Sequence, residues 1–309
     1  MKIGFLFPGQ GSQCVGMGKD IYDNFEEVRN LYNEIEKITG IDVAKLTFES
    51  DEETLMQTKN TQIAILAMSL GILRVLENKK IKPDVSTGLS LGEYTALINS
   101  GAIEFEEGVK LVQKRGEYMQ DLLPEGEWSM AAFLGADEEL VSKICNKVEN
   151  GFVVPVNFNC PGQIVASGEK RAILEAVEIA KEFGVKKVKE LNTSGPFHTI
   201  KLQEAANELK KELDLITINK LNSYVVKNMN GELYSENEDI KNILYNHMIS
   251  PVRFDKCINK MIDMGVDTFV EIGPGKTLTS FVKKTNKDVS LININDLESL
   301  QNAICQLSM

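Results

Sequence analysis

The stretch Gly88-Leu89-Ser90-Leu91-Gly92 sets a serine between two glycines, after the short run Val85-Ser86-Thr87 and ahead of a helical segment. A serine on a sharp strand-to-helix bend needs neighbours without side chains, because the crossing backbones approach closely there. Its hydroxyl then projects past the sheet, and the first N–H groups of the helix face any oxyanion formed beside it. The same spacing also arises by chance in glycine-containing turns, so a base, an oxyanion donor and a specificity group must be found elsewhere. Serine is a weak nucleophile at its own pKa and needs a base to take its proton. The chain has two histidines, His198 and His247. His247 falls in a polar helical stretch, where a surface position is expected. His198 follows Gly195-Pro196-Phe197 in a loop, the kind of segment on which functional side chains collect, and is the expected general base. No Asp or Glu neighbours it closely. A distant acid or a backbone carbonyl must therefore orient its ring.

Two more residues complete a candidate site. The Leu91 N–H is one oxyanion donor by elbow geometry, and Gln10, within Pro8-Gly9-Gln10-Gly11-Ser12-Gln13, is the natural second. Arg115 lies in a helical stretch. Facing a cleft, its planar fork would bind a carboxylate bidentately and select a substrate with a free acid end; facing solvent, it would be an ordinary surface arginine.

These residues need a scaffold that brings them together. Lys2 to Phe7 reads as a strand running into the Gln10 loop, and Thr61 to Glu77 as a buried helix behind the elbow. Its apolar core, Ile63 to Leu76, carries Ser69 and Arg74 and is short for a membrane span. Phe105 to Leu123 forms a helix bearing Arg115. From Met130 to Leu191 the order is βαββαβ, the ferredoxin-like split unit. The chain re-enters the larger unit at Asn192 to Thr199 and ends with the strand Thr268 to Ile272, the turn Gly273-Pro274-Gly275, a helix, and a strand at Val289 to Ile294. The expected fold class is α/β: a large α/β-hydrolase-like domain with a mostly parallel sheet, residues 1–124 and 195–309, plus an inserted small ferredoxin-like domain, residues 125–194.

Composition narrows the partners. Over 309 residues, 34 Lys and Arg against 45 Asp and Glu leave a net charge of −11, which argues against nucleic acid or an anionic membrane as main partner. Five scattered cysteines show no metal-ligand spacing and read as free thiols of a reducing compartment. No metal is expected.

The sequence resembles the malonyl-CoA:acyl carrier protein transacylases of bacterial fatty acid synthesis and is similar to the acyltransferase domains of polyketide synthases. The resemblance rests on Phe7-Pro8-Gly9-Gln10-Gly11-Ser12-Gln13, Gly88-Leu89-Ser90-Leu91-Gly92-Glu93-Tyr94 and Arg115-Gly116 with Met119-Gln120. Further on it includes Val156-Asn157-Phe158-Asn159 with Pro161-Gly162-Gln163, Gly195-Pro196-Phe197-His198, Pro251-Val252-Arg253 and Glu271 with Gly273-Pro274-Gly275. It implies that Ser90 is acylated, His198 is the base, Arg115 clamps the malonyl carboxylate, and Gln10 with the Leu91 amide forms the oxyanion hole. It places the carbonyl that orients the base at Arg253. It implies malonyl-CoA and acyl carrier protein as substrates in a ping-pong transfer, no tightly bound cofactor, and a cytoplasmic protein; a monomer is the expected state. Phe197 and Leu91 resemble the malonyl-selecting versions, leaving little room for an extra methyl. Family members usually carry histidine where this chain has Leu89; that imidazole is not the family's base, so activity is expected to survive. The alternatives are a serine acyl-thioester hydrolase on the same elbow and a scaffold subunit with a relict elbow. Lys186, Lys187, Lys189 and Lys201 are candidate contacts for an acidic carrier protein.

Overall fold

A computed structural model describes residues 1–308 other than Glu125, Asn192 and Ser194. The expected domain boundaries at 125 and 194 fall on residues outside the described set. Nine strands occur among the described residues: β1 (Ile3–Phe7), β2 (Val85–Gly88), β3 (Trp128–Leu134), β4 (Val153–Cys160), β5 (Gln163–Glu169), β6 (Lys187–Leu191), β7 (Tyr224–Val225), β8 (Thr268–Ile272) and β9 (Ser290–Ile294).

One sheet has the order β7-β2-β1-β8-β9, and every pairing in it is parallel. Parallel strands need crossovers and are covered on both faces, so they read as continuous apolar runs, as in the Phe5-Leu6-Phe7 end of β1 and the fully buried β8. Tyr224-Val225, ambiguous in sequence, adds a short edge strand beside β2. The helix Thr58–Asn78 packs into the core, and from Ile63 to Leu76 only Arg74 is not fully buried. A helix apolar on all sides belongs inside a protein, as expected here. Among the described residues no helix is long and apolar enough to cross a membrane.

The second sheet, β4-β5-β3-β6, is antiparallel throughout. Alternate residues of β3 point to opposite faces. Ala131 and Phe133 join a cluster with the helices Glu138–Lys147 and Lys170–Glu182, whereas Met130 and Ala132 join the main core. The sheet is thereby buried on both sides. Its β4 edge is tied to the segment beyond the helix Ile240–Ile249 by Phe158 N donating to Val252 O (2.9 Å) and Val252 N to Val156 O (2.7 Å). The cavity described next is lined by strands of the second sheet and by the segments that follow β1 and β2 of the first.

Candidate active site

β2 ends at Gly88, and the helix Leu91–Asn99 begins three residues later. Between them Ser90 has φ 55° and ψ −101°, a strained conformation for a residue with a side chain. The glycines are there for space: a Cβ on Gly88 would overlap the Gly92 backbone, and one on Gly92 would overlap the Phe7 carbonyl. Gly9 is restricted in the same way by the Leu89 carbonyl, which sets the Gln10 loop against the elbow.

Ser90 Oγ lies 2.8 Å from His198 Nε2. His198, also at positive φ (59°), is buried and brings its Nδ1 to 3.1 Å from the His247 carbonyl. A carbonyl can only accept, so Nδ1 carries the proton and Nε2 presents its lone pair to the serine. Burial, and next the Arg115 guanidinium, pull the imidazole's pKa down to about 4, so the ring is neutral at ordinary pH.

The orienting carbonyl corrects the expectation at Arg253. That carbonyl accepts from Lys256 N and Cys257 N at the start of the helix Phe254–Asp263, and the Arg253 side chain pairs with Asp255 and Glu138. The start of a helix has claimed it. His247 is corrected too: it is fully buried, its ring centroid is 5.2 Å from that of His198, and its Nδ1 is 3.3 Å from Glu93 Oε2. Burial holds its pKa well below the ordinary value.

Arg115 is 1% exposed. One guanidinium nitrogen donates to Ser90 Oγ at 3.1 Å, another to Gln62 Oε1 at 2.7 Å, and the plane lies over the Tyr94 ring at 5.1 Å. Among the described residues its Nε has no hydrogen-bond partner, and no Asp or Glu forms an ion pair with it. A buried cation without a counter-ion is costly, and burial accordingly lowers its pKa. The Gln10 side chain donates to Thr58 Oγ1 at 3.2 Å, so its amide is engaged. Among the described residues, however, the main-chain N–H groups of Gln10 and Leu91 have no partner in the protein.

These groups line one cavity of about 570 Å³, which also takes in Leu89, Phe197, Asn157, Asn159 and Lys189. Asn159 Oδ1 is buried there with no partner among the described residues. Lys186, Lys187 and Lys201 are not among its lining residues, and the Lys201 ammonium lies over the Phe152 ring. Sequence reasoning missed Gln62, Glu93 and Asn228. Glu93 had a signal, being the one charged residue of the otherwise uncharged helix Leu91–Asn99, whereas Gln62 follows the polar start Thr58-Lys59-Asn60-Thr61 and did not stand out. Asn228 had none: its Oδ1 accepts from Ser90 N at 2.8 Å across 138 residues of chain.

A half-buried serine and a neutral imidazole beside a buried guanidinium are the equipment of a serine acyl-transfer enzyme. The chain belongs to the acyl transferase domain family, whose model matches residues 4–301. Within that family it is similar to the malonyl CoA-acyl carrier protein transacylase of Bacillus subtilis (strain 168), 43% identical over 305 residues, covering 98% of this chain and 96% of that one. Among solved structures it is similar to the malonyl CoA-acyl carrier protein transacylase of Clostridium perfringens, with 48% identity, TM-score 0.95, and 99% and 97% of the two chains covered. It is also similar to a malonyl-transacylase in complex with its type II PKS acyl-carrier protein, with 36% identity, TM-score 0.95, and 99% and 100% covered.

Proposed function

We propose that this protein transfers a malonyl group from malonyl-CoA to the phosphopantetheine thiol of acyl carrier protein, through an acyl-enzyme on Ser90. The observation that carries the reading is the buried Arg115 guanidinium, 3.1 Å from the Ser90 oxygen and, among the described residues, without an ion pair to a carboxylate. An acyl group bearing a free carboxylate supplies the missing counter-ion while its thioester carbon sits at the serine. His198 Nε2 takes the Ser90 proton as Oγ bonds to the thioester carbon; the tetrahedral oxyanion is held by the Leu91 and Gln10 main-chain N–H groups. Collapse breaks the carbon–sulfur bond, and the proton on His198 goes to the departing CoA thiolate. The second half runs in reverse with the carrier thiol, whose proton passes to His198 and back to Ser90. CoA and carrier protein enter as substrates, and no step calls on a further cofactor.

Several finer features belong to the same reading. The strained Ser90 at the end of a parallel strand supports an α/β-hydrolase-like large domain, residues 1–124 and 195–309. The strand order β4-β5-β3-β6 within βαββαβ supports a ferredoxin-like insert, residues 125–194. Phe197 and Leu91 narrow the acyl end of the cavity. Lys189 at the cavity, with Lys186 and Lys187 beside it in sequence and Lys201 further along the chain, is offered to an acidic carrier protein. The net charge of −11 supports a protein without nucleic acid partners, and we place it in the cytoplasm as a monomer.

Arg115→Ala tests the central point. Malonyl transfer should fall by the equivalent of about 2–5 kcal/mol, the cost of truncating one member of a buried charge pair, while acetyl transfer changes little. Equal losses for both acyl groups would remove Arg115 as the carboxylate clamp.

A further inference from the structure

β2 and β7 part company just before the elbow. Their ladder closes with Val226 N donating to Ser86 O, and Thr87 Oγ1 donates to Val226 O (2.9 Å). Beyond that point the Gly88 carbonyl and the Ser90 N–H, both turned away from β1, need partners that β7 no longer supplies. A buried, unpaired backbone group costs as much as a lost hydrogen bond or more. Asn228, two residues past Val226 and fully buried, supplies both. Its Oδ1 accepts from Ser90 N at 2.8 Å, and its Nδ2 donates to Gly88 O at 2.7 Å. A carboxamide offers one acceptor and donors on neighbouring atoms, so it stands where another peptide of β7 would have stood. Its own main-chain N–H donates to the Glu93 carboxylate (3.2 and 3.3 Å), which also accepts from Tyr234 OH at 2.6 Å. Glu93 is in the first turn of the helix that follows the nucleophile. The elbow is thereby gripped before, at and after Ser90.

We propose that Asn228 is the positioning residue of the nucleophile: its carboxamide holds the Gly88–Ser90 bend in its strained form and withdraws the Ser90 N–H from the oxyanion site. The inference rests on the reading of Ser90 as the acylated residue. In some serine enzymes the nucleophile's own N–H serves the oxyanion; here it is spent on Asn228, leaving Leu91 and Gln10. Among the described residues Asn228 makes no hydrogen bond to the Arg115 guanidinium or to His198, and it does not line the cavity. Its loss should slow acylation without weakening the hold on the malonyl carboxylate.

The test compares Asn228→Ala, Asn228→Asp and Ser90→Ala by quenched-flow acylation with malonyl-CoA, reading the malonyl adduct by intact mass. In Asn228→Ala the rate constant per labelled site should fall about 10²-fold, the scale of loss for a displaced reacting group, with KM for malonyl-CoA within a factor of about three. Asn228→Asp is the same size and keeps the acceptor for Ser90 N–H but loses the donor to Gly88, so a smaller fall, about tenfold, is expected; it decides the matter alone if the alanine variant does not fold. A purely structural role predicts fewer labelled sites at the wild-type rate constant, and that result, or a raised KM at unchanged rate, would overturn the inference. Label lost in Ser90→Ala with wild-type rates in both Asn228 variants would sink this inference alone. Label that persists in Ser90→Ala would sink the nucleophile assignment and this inference with it.

Discussion

The proposed nucleophile, Ser90, and its proposed base, His198, are held in different ways. Ser90 sits in a bend marked by two glycines within five residues, Gly88 and Gly92, where an added Cβ would overlap the Gly92 backbone or the Phe7 carbonyl, and Asn228 only fastens it from afar. His198 has no such local device. Its ring is aimed by a carbonyl 49 residues away, at the end of another helix, and its proton affinity is set by burial and by a guanidinium from a third. A local device leaves a pattern in the sequence, and a distant one leaves only the residue it acts upon.

The comparison can be attacked at either end. The largest effect is expected at the nucleophile: Ser90→Ala should lower transfer by about 10⁶-fold, the scale seen when a catalytic serine is removed, with the malonyl adduct absent by mass spectrometry. Next comes the local device itself. Gly92→Ala drives a Cβ into the Phe7 carbonyl at the centre of the parallel sheet and should cost more than about 4 kcal/mol in chemical denaturation; a variant as stable as the parent would mean that the bend is not glycine-dependent.

The base responds more mildly, through its charge environment. With the His198 pKa lowered to about 4, the neutral form is already present above that value, so the acylation rate should be flat with pH down to about 5 and fall tenfold per unit well below 4. Arg115→Met removes a cation that opposes protonation of the ring, which should move the acidic limb of the rate profile upward; a downward shift would contradict the proposed coupling. The smallest change belongs to His247→Gln. The part of His247 that aims the base is its carbonyl, which the substitution retains, so kcat should stay within about threefold of the parent. A loss as large as that of His198→Ala would assign the function to the side chain instead.

How far each feature was legible follows the same division. The buried helix Thr58–Asn78, the parallel strands and the βαββαβ order announced themselves through periodicity and apolar runs, because burial acts on every residue of an element. Arg115 was visible as a candidate but not as a buried one: exposure is decided by the neighbours Gln62 and Tyr94, which come from other helices. His247 was placed at the surface because the polar residues around it in sequence do reach solvent, while the ring itself turns inward beside Glu93. Arg253 failed as the orienting group because its carbonyl serves the helix after it.

By itself, then, the sequence determined the strained bend, the identity of the serine, the imidazole available to it, and the chain's alternation of sheet and helix, since each follows from residue types at short spacing. The tertiary structure alone decided which carbonyl faces His198, that Arg115 is buried against Ser90, and that Asn228 closes the elbow. Those outcomes depend on groups from 25 to 138 residues apart being buried against one another, and burial is a property of the packed whole.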